Sequence, residues 1–356
     1  VETRTYDNSY RLTGLTDVNG TTTLRILSYG YNAHDNLTSI SDLLSAANNQ
    51  TFTYSPRELL ATAVGPFANL AYTYDGVGNR LTQSVGAATE SYAYPGSSNR
   101  LSSITSASTP ARTLTHNAIG NVTTDNRGGN IYTYVYDAAD RIRQVKLNGV
   151  IQANYTYNYR GQQITRGFPA SGLIIHSVFG LDGNRISEHN QTTGALIREY
   201  VWLGGSPLAV IEGGQIYLIR TDHIGRPAFA TTMAGTQVWS ASYLPFGGVH
   251  TSVGTPIDLR FPGQWFQTET GLYQNWMRDY DPTTGRYMEA DPLGLIDGAS
   301  VYGYAQQNPN GWIDPIGQQA ISLPSPGGLG GPLVPLAVAP GTPLGNALSE
   351  SLNENL

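Results

Sequence analysis

The stretch Tyr72-Thr-Tyr74-Asp-Gly-Val-Gly-Asn-Arg-Leu81 decides the fold. Its two tyrosines stand two residues apart. In an extended strand, where side chains alternate between faces, both rings therefore lie on one face. Asp75, Gly76, Gly78 and Asn79 then supply the side-chain-to-backbone hydrogen bonds and the left-handed backbone that reverse a chain. Leu81 restarts a strand. These residues thus spell the end of one β-strand, a turn and the opening of the next.

The same pattern recurs along the chain. The second aromatic of each pair falls at Tyr31, Tyr54, Tyr74, Tyr94, His116, Tyr136 and Tyr157, spaced by 23, 20, 20, 22, 20 and 21 residues, and Phe179 and Tyr200 continue the series by 22 and 21. Tyr136-Asp-Ala-Ala-Asp-Arg-Ile142 and Phe179-Gly-Leu-Asp-Gly-Asn-Arg-Ile186 repeat the turn and the restart, and Tyr6-Asp-Asn-Ser-Tyr-Arg-Leu12 reads as an earlier copy. One unit is a β-hairpin of roughly 20 residues, marginal alone and stabilised by stacking on its neighbours. An ordinary sandwich also carries aromatic strands, but it does not repeat the same turn residues at one period.

Composition agrees. Tyr (23) outnumbers Phe (8) and charged residues make up only 13%, which suits strands joined by tight turns and disfavours long helices. The 40% of hydrophobic residues suffice for a core. No run of apolar residues is long enough for a membrane helix. A net charge of −6 without a block of Lys or Arg argues against a nucleic-acid surface. The absence of cysteine excludes disulfides and Cys-type zinc sites. His34, His116, His176, His189, His223 and His250 are scattered and read as turn or repeat positions, so neither a metal nor a cofactor is expected. No nucleophile elbow or phosphate loop occurs. Because the chain starts at Val1, it is expected to be a piece of something longer.

The unit Tyr-Asp-x-x-Gly-Asn-Arg-Leu resembles the YD repeat of RHS proteins, and the resemblance runs to about residue 250. Asp222-His-Ile-Gly-Arg-Pro227, Val238-Trp-Ser240 and Tyr243-Leu-Pro-Phe-Gly247 look like the last repeat before that family's core. From Leu259 to Gly317 the chain resembles the RHS repeat-associated core domain. The landmarks are Phe261-Pro-Gly-Gln264, Glu269-Thr-Gly-Leu-Tyr273, Asn275-Trp-Met-Arg-Asp-Tyr-Asp-Pro282, Thr284-Gly-Arg-Tyr287, Asp291-Pro-Leu-Gly-Leu295, Tyr302-Gly-Tyr304, Asn308-Pro309 and Asp314-Pro-Ile-Gly317. The resemblance implies an all-β fold in which stacked antiparallel hairpins form part of a spiralling hollow shell, closed by the core. A variable C-terminal payload, often a toxin, is held inside. The expected layout is repeats over 1–250, core over 251–317 and tail over 318–356. Roughly 15 hairpins make only part of a closed cocoon, so further repeats or a shell-completing partner are expected.

The resemblance also implies chemistry. Related shells cut themselves with an Arg-Asp pair and a second Asp 12 residues on, here Arg278, Asp279 and Asp291. Cleavage falls just after the motif ending the core, which puts Asp314, Pro315, Gly317 and Gln318 in the cleavage region. Two carboxyls in a dry pocket cannot both ionise, so one keeps a proton as the acid while the other activates water. Arg278 can hold one of them ionised. The expected cut is at or near Gln318–Gln319. One departure stands out: the family usually has Leu where this chain has Gln318. A plainer reading competes, since Asp281, Asp291 and Asp314 all precede proline, a turn-initiating dipeptide.

The tail, from Leu323 to Pro343, is rich in Pro and Gly and nearly uncharged, and is expected to be extended or disordered, with at most a short helix over Asn346 to Leu356. It is too short to bury the core of an independent toxin. The favoured function is therefore a structural one: a secreted or cell-surface shell section that encloses and delivers its own C-terminal segment, assisted by a secretion apparatus or partner protein. Its only enzyme activity is intramolecular. A rival is an adhesin or carbohydrate-binding surface; a β-solenoid hydrolase is a poorer one, because acids are sparse in the repeats. The direction of the tyrosines discriminates. A shell packs them between hairpins, whereas a binder exposes them as a patch.

Overall fold

A computed structural model of the chain describes residues 1–96 and 98–322. The expected extended tail beyond residue 322 and its short helix lie outside the described residues. The rest is β-structure with short turns, and among the described residues there is no α-helix.

From Glu2–Tyr6 to Val249–Gly254, twenty-four strands form one sheet in which each strand pairs antiparallel with the next in sequence. The ribbon is not a closed barrel, because its first and last strands have a partner on one side only. It nevertheless curls back on itself. Arg220, in the strand Gln215–Thr221, reaches Asp17 in the strand Leu12–Asn19 at 3.2 Å, and Arg25 donates to the Thr221 carbonyl at 2.9 Å. Side chains, not a ladder, bridge that seam.

The turn chemistry is as the sequence predicts. Asp75 Oδ1 accepts the N–H groups of Val77 and Asn79 at 2.9 Å, and the Asp75 N–H donates back to the Asn79 carbonyl. Gly78 takes φ +88°, where a side chain is disfavoured. Asp7, Asn32, Asp137, Asn158 and Asp222 make the same pair of bonds two and four residues on. Each such turn begins with a one-residue register shift, as between Thr73 and Tyr74.

The paired tyrosines of the inner repeats point inward, whereas Tyr6, Tyr10 and Tyr159 are exposed. Tyr72 is buried, and the half-buried Tyr74 packs against the same core. The second aromatic of most pairs, His116 and Phe179 excepted, also ties its hairpin to the preceding one. Tyr31 donates to the Leu12 carbonyl, Tyr54 to Leu37, Tyr74 to Leu60, Tyr94 to Arg80, Tyr136 to Val122 and Tyr157 to Ile142, at 2.6–2.9 Å. In the unit the sequence anchors at Tyr200 the tie is instead made two residues on, by Trp202 Nε1 to the Arg185 carbonyl, while the buried Tyr200 donates to Glu188; Tyr243 ties to Pro227. This is the packing a shell requires.

The restart differs in one respect. The inward slot lies five residues after the turn's first residue and is filled by Leu12, Leu37, Leu60, Val122 and Ile142. In two units it holds arginine. Arg80 and Arg185 are buried, while Leu81 (39% exposed) and Ile186 (41%) face outward. Arg80 lies over the rings of Phe246 (4.2 Å) and Tyr72 (4.8 Å). Arg185 stacks on Trp265 at 3.8 Å and pairs with Glu188 at 2.7 Å. Stacking against aromatic faces lets a guanidinium take an apolar slot.

The core seals the ring. A small antiparallel sheet of Trp265–Phe266, Tyr273–Asn275, Arg278–Asp281 and Arg286–Tyr287 surrounds a cluster of Phe261, Tyr273, Tyr280, Tyr287 and Tyr304. It touches the wall all around: Asn308 meets Asn36, Arg286 meets Asn79, Tyr302 meets Gly120, Asp281 meets Arg112, and Glu269 meets Tyr155 and Arg166.

Candidate functional site

The strand Arg278–Asp281 sets the site, because its successive side chains face opposite ways. On one face the buried Arg278 gathers three groups. Its Nη2 lies 2.8 Å from Asp291 Oδ2 and 3.0 Å from Asp314 Oδ2, and its Nε donates to the Gly317 carbonyl at 2.6 Å. The guanidinium lies 3.7 Å from the centre of the Tyr287 ring, and the Tyr287 hydroxyl donates to Asp314 Oδ2 at 2.7 Å. Burial pushes the Asp291 carboxyl above its ordinary range, with Arg278 opposing.

Asp314 faces both ways. While Oδ2 takes Arg278 and Tyr287, Oδ1 accepts the backbone N–H of Gln318 at 3.0 Å and of Gln319 at 3.2 Å. Asn275 Nδ2 holds the Asp314 carbonyl at 2.8 Å. Gly317 takes φ +68°, and a Cβ there would run into the Asn275 carbonyl. Pro315 is packed as closely, since a Cβ on Gly263 would strike its carbonyl. The peptides from Gly317 to Gln319 are thus pinned beside Arg278.

The turn reading holds as well. Asp291 Oδ1 accepts the Leu293 N–H at 2.8 Å, and Asp281 Oδ1 accepts that of Thr283 at 2.9 Å. Asp281 otherwise pairs with Arg112 of the wall at 2.6 Å.

Asp279 occupies the opposite face. Its N–H donates to Glu289 Oε2 at 2.8 Å, and both Asp279 Oδ1 and Glu289 Oε1 are buried without a partner. Burial, with Glu269 nearby, pushes Asp279 up to about 8. Burial and then Asp279 raise Glu289 well above the usual carboxylate range. Of the residues named from sequence, Arg278, Asp291, Asp314, Gly317 and Gln318 therefore come together. The carboxyl beside Asp279 is Glu289, not Asp291.

Three participants escaped the sequence reading. Tyr287 closes a quoted motif and Glu289 falls between two of them, and strand alternation alone separates Asp279 from Arg278. Asp297, whose Oδ2 accepts the Ala320 N–H at 2.6 Å, sits in a loop with no distinguishing signal. Among the described residues no group of three or more His, Cys, Asp or Glu is placed to hold a metal ion. No helix among them is long and apolar enough to cross a membrane.

Comparison with known proteins matches this architecture. The chain is 28% identical over 328 residues to double-stranded DNA deaminase toxin A of Burkholderia cenocepacia, covering 82% of this chain and 22% of that protein. It is 29% identical over 198 residues to the probable deoxyribonuclease RhsA of Dickeya dadantii, covering 52% and 14%. The chain thus spans about a fifth or less of the length of these relatives. The crystal structure of TcdB2-TccC3 superposes with a TM-score of 0.64 at 19% identity, over 89% of this chain and 18% of that one. The family described as Teneurin YD-shell matches residues 2–147 and 184–309. With its ribbon of tyrosine-tied hairpins and most of its length matched, the chain belongs to the Teneurin YD-shell family.

Proposed function

We propose that the chain is a section of a secreted toxin-delivery shell that cuts its own C-terminal segment loose from the core. The observation that carries this reading is the hold of Arg278 on the Gly317 carbonyl at 2.6 Å while it also holds Asp291 and Asp314. In the proposed reaction Asp291 takes a proton from water, whose oxygen adds to a peptide carbonyl in the pinned stretch Gly317–Gln319. Arg278 stabilises the charge that develops on that stretch. The C–N bond breaks, Asp291 returns the proton it took from water to the leaving nitrogen, and a carboxylate and an amine remain.

Asp314 Oδ1 sits against both candidate leaving nitrogens, those of Gln318 and Gln319. Asp279, on the opposite face of the strand beside Glu289, stands outside this arrangement. Because the substrate is the chain's own tail, tethering replaces the binding a free peptide would need. The relatives named as a deaminase toxin and a deoxyribonuclease support a toxin as the cargo. The free edges at Glu2–Tyr6 and Val249–Gly254 suit further repeats or a shell-completing partner. The reading is tested on a denaturing gel: freshly purified wild type runs as two fragments and Asp291→Asn as one. A single band of the same size for both refutes it.

A further inference from the structure

The segment beyond Gly317 has one more polar hold. Asp297, half-buried on the loop after the Asp291 turn, accepts the Ala320 N–H at 2.6 Å. Ile321–Ser322 then pairs with Trp312–Ile313 in a two-residue ladder. Upstream, Gln318 and Gln319 give their N–H groups to Asp314. Two carboxylates and a short ladder are therefore the polar ties on residues 318–322, beside the burial of Ala320 and the packing of Ile321 on the core.

The charged neighbours of Asp297 are few. Asp314 and Asp291 raise its affinity for a proton and Arg278 opposes them, while Arg57 and Glu58 line the same small cavity of about 270 Å³. Burial, offset by the Ala320 N–H, pushes the carboxyl up to about 6.

We propose that Asp297 is an acid-sensitive latch on the tail: as a carboxylate it keeps the severed segment docked on the core, and protonated it lets go. For the severed state this rests on the self-cleavage reading. A cut at Gln318–Gln319 turns the Gln319 nitrogen, 3.2 Å from Asp314 Oδ1, into an ammonium. Asp297 then holds the very next N–H. Hydrogen bonds to an ionised acceptor are about twice as strong as neutral ones, so protonating Asp297 weakens one of the few remaining polar ties.

The test follows retention of the cut tail on the shell by size exclusion at about pH 7 and about pH 5, an interval over which a carboxyl titrating near 6 changes its ionised fraction roughly tenfold. The wild-type tail should stay bound at the higher pH and dissociate several-fold faster at the lower. Asp297→Asn keeps an acceptor oxygen but does not ionise, and should show one rate at both. No pH difference in wild type, or an equal difference in the variant, overturns the latch. If wild type proves uncut, self-cleavage fails separately. Protection of the Ala320 amide against hydrogen exchange, normalised to its intrinsic rate, then reads the latch in the intact chain. It should fall on acidification in wild type but not in Asp297→Asn, and protection independent of pH in wild type overturns the proposal.

Discussion

The Tyr74 hydroxyl donates to the Leu60 carbonyl at 2.9 Å, tying one hairpin to the start of the strand that closes the one before it. The bond recurs in most units, so the period in the sequence is a period of cross-links between hairpins. Tyr74→Phe keeps the ring and removes the bond, leaving a carbonyl short of its donor. The expected loss is about 1 kcal/mol, read from the urea midpoint. Tyr72→Ala, which empties a buried aromatic site, should cost about 3–5 kcal/mol. Equal losses from both would mean that ring burial does not dominate.

Arg80 fills a slot that is apolar in most units, and its Nε and Nη2 are buried without hydrogen-bond partners. Replacing a buried charge by a well-packed apolar residue is often close to neutral. Arg80→Leu is therefore expected to change stability by no more than about 1 kcal/mol, whereas Arg80→Ala should cost at least about 2 kcal/mol through the cavity under Phe246. A larger loss for Arg80→Leu than for Arg80→Ala would show that the stacked charge itself holds the slot.

Asp279 titrates near 3.8 in an unfolded chain and at about 8 in the fold. Between those values the folded state keeps a proton that the unfolded state releases, so stability falls as pH rises through this window. Asp279→Asn removes that titration and relieves Glu289. Urea midpoints at about pH 5 and about pH 8 should drop less in the variant than in wild type. An unchanged drop would mean that the buried pair does not set the alkaline limb.

Gly317 has φ +68° and lies against the Asn275 carbonyl. Gly317→Ala is expected to unseat the peptide from Arg278 and slow self-cleavage by at least about tenfold, which corresponds to about 1.4 kcal/mol on the barrier. Fragment yield against time after refolding measures it, and wild-type kinetics would contradict the close fit.

The repeat was legible because its signals are local. Alternating tyrosines set the strand face, and Asp75, Gly78 and Asn79 set the turn within five residues. The buried arginines were not, because Arg80 and Arg185 read as polar until the aromatic faces of Phe246, in the last repeat, and Trp265, in the core, are brought to them from distant parts of the chain. At the site, the spacing of Arg278 and Asp291 pointed to a real contact, and the motif around Asp314 to the pinned tail. The partner of Asp279 was misjudged for a reason the sequence contained: neighbours on a strand face opposite ways, so Arg278 and Asp279 cannot both meet Asp291. Asp297 had no local signal, since the loop carrying it meets Ala320 only in the folded core.

The central claim is that Arg278, Asp291 and Asp314 cut the chain beside Gly317. Intact-mass spectrometry of the purified protein tests it at the level of one bond. The account predicts, for wild type, two masses that sum to the full chain plus one water, with the new terminus at Gln318 or Gln319, and a single uncut mass for Asp291→Asn. An uncut mass in both, or a cut that persists unchanged in Asp291→Asn, would contradict it.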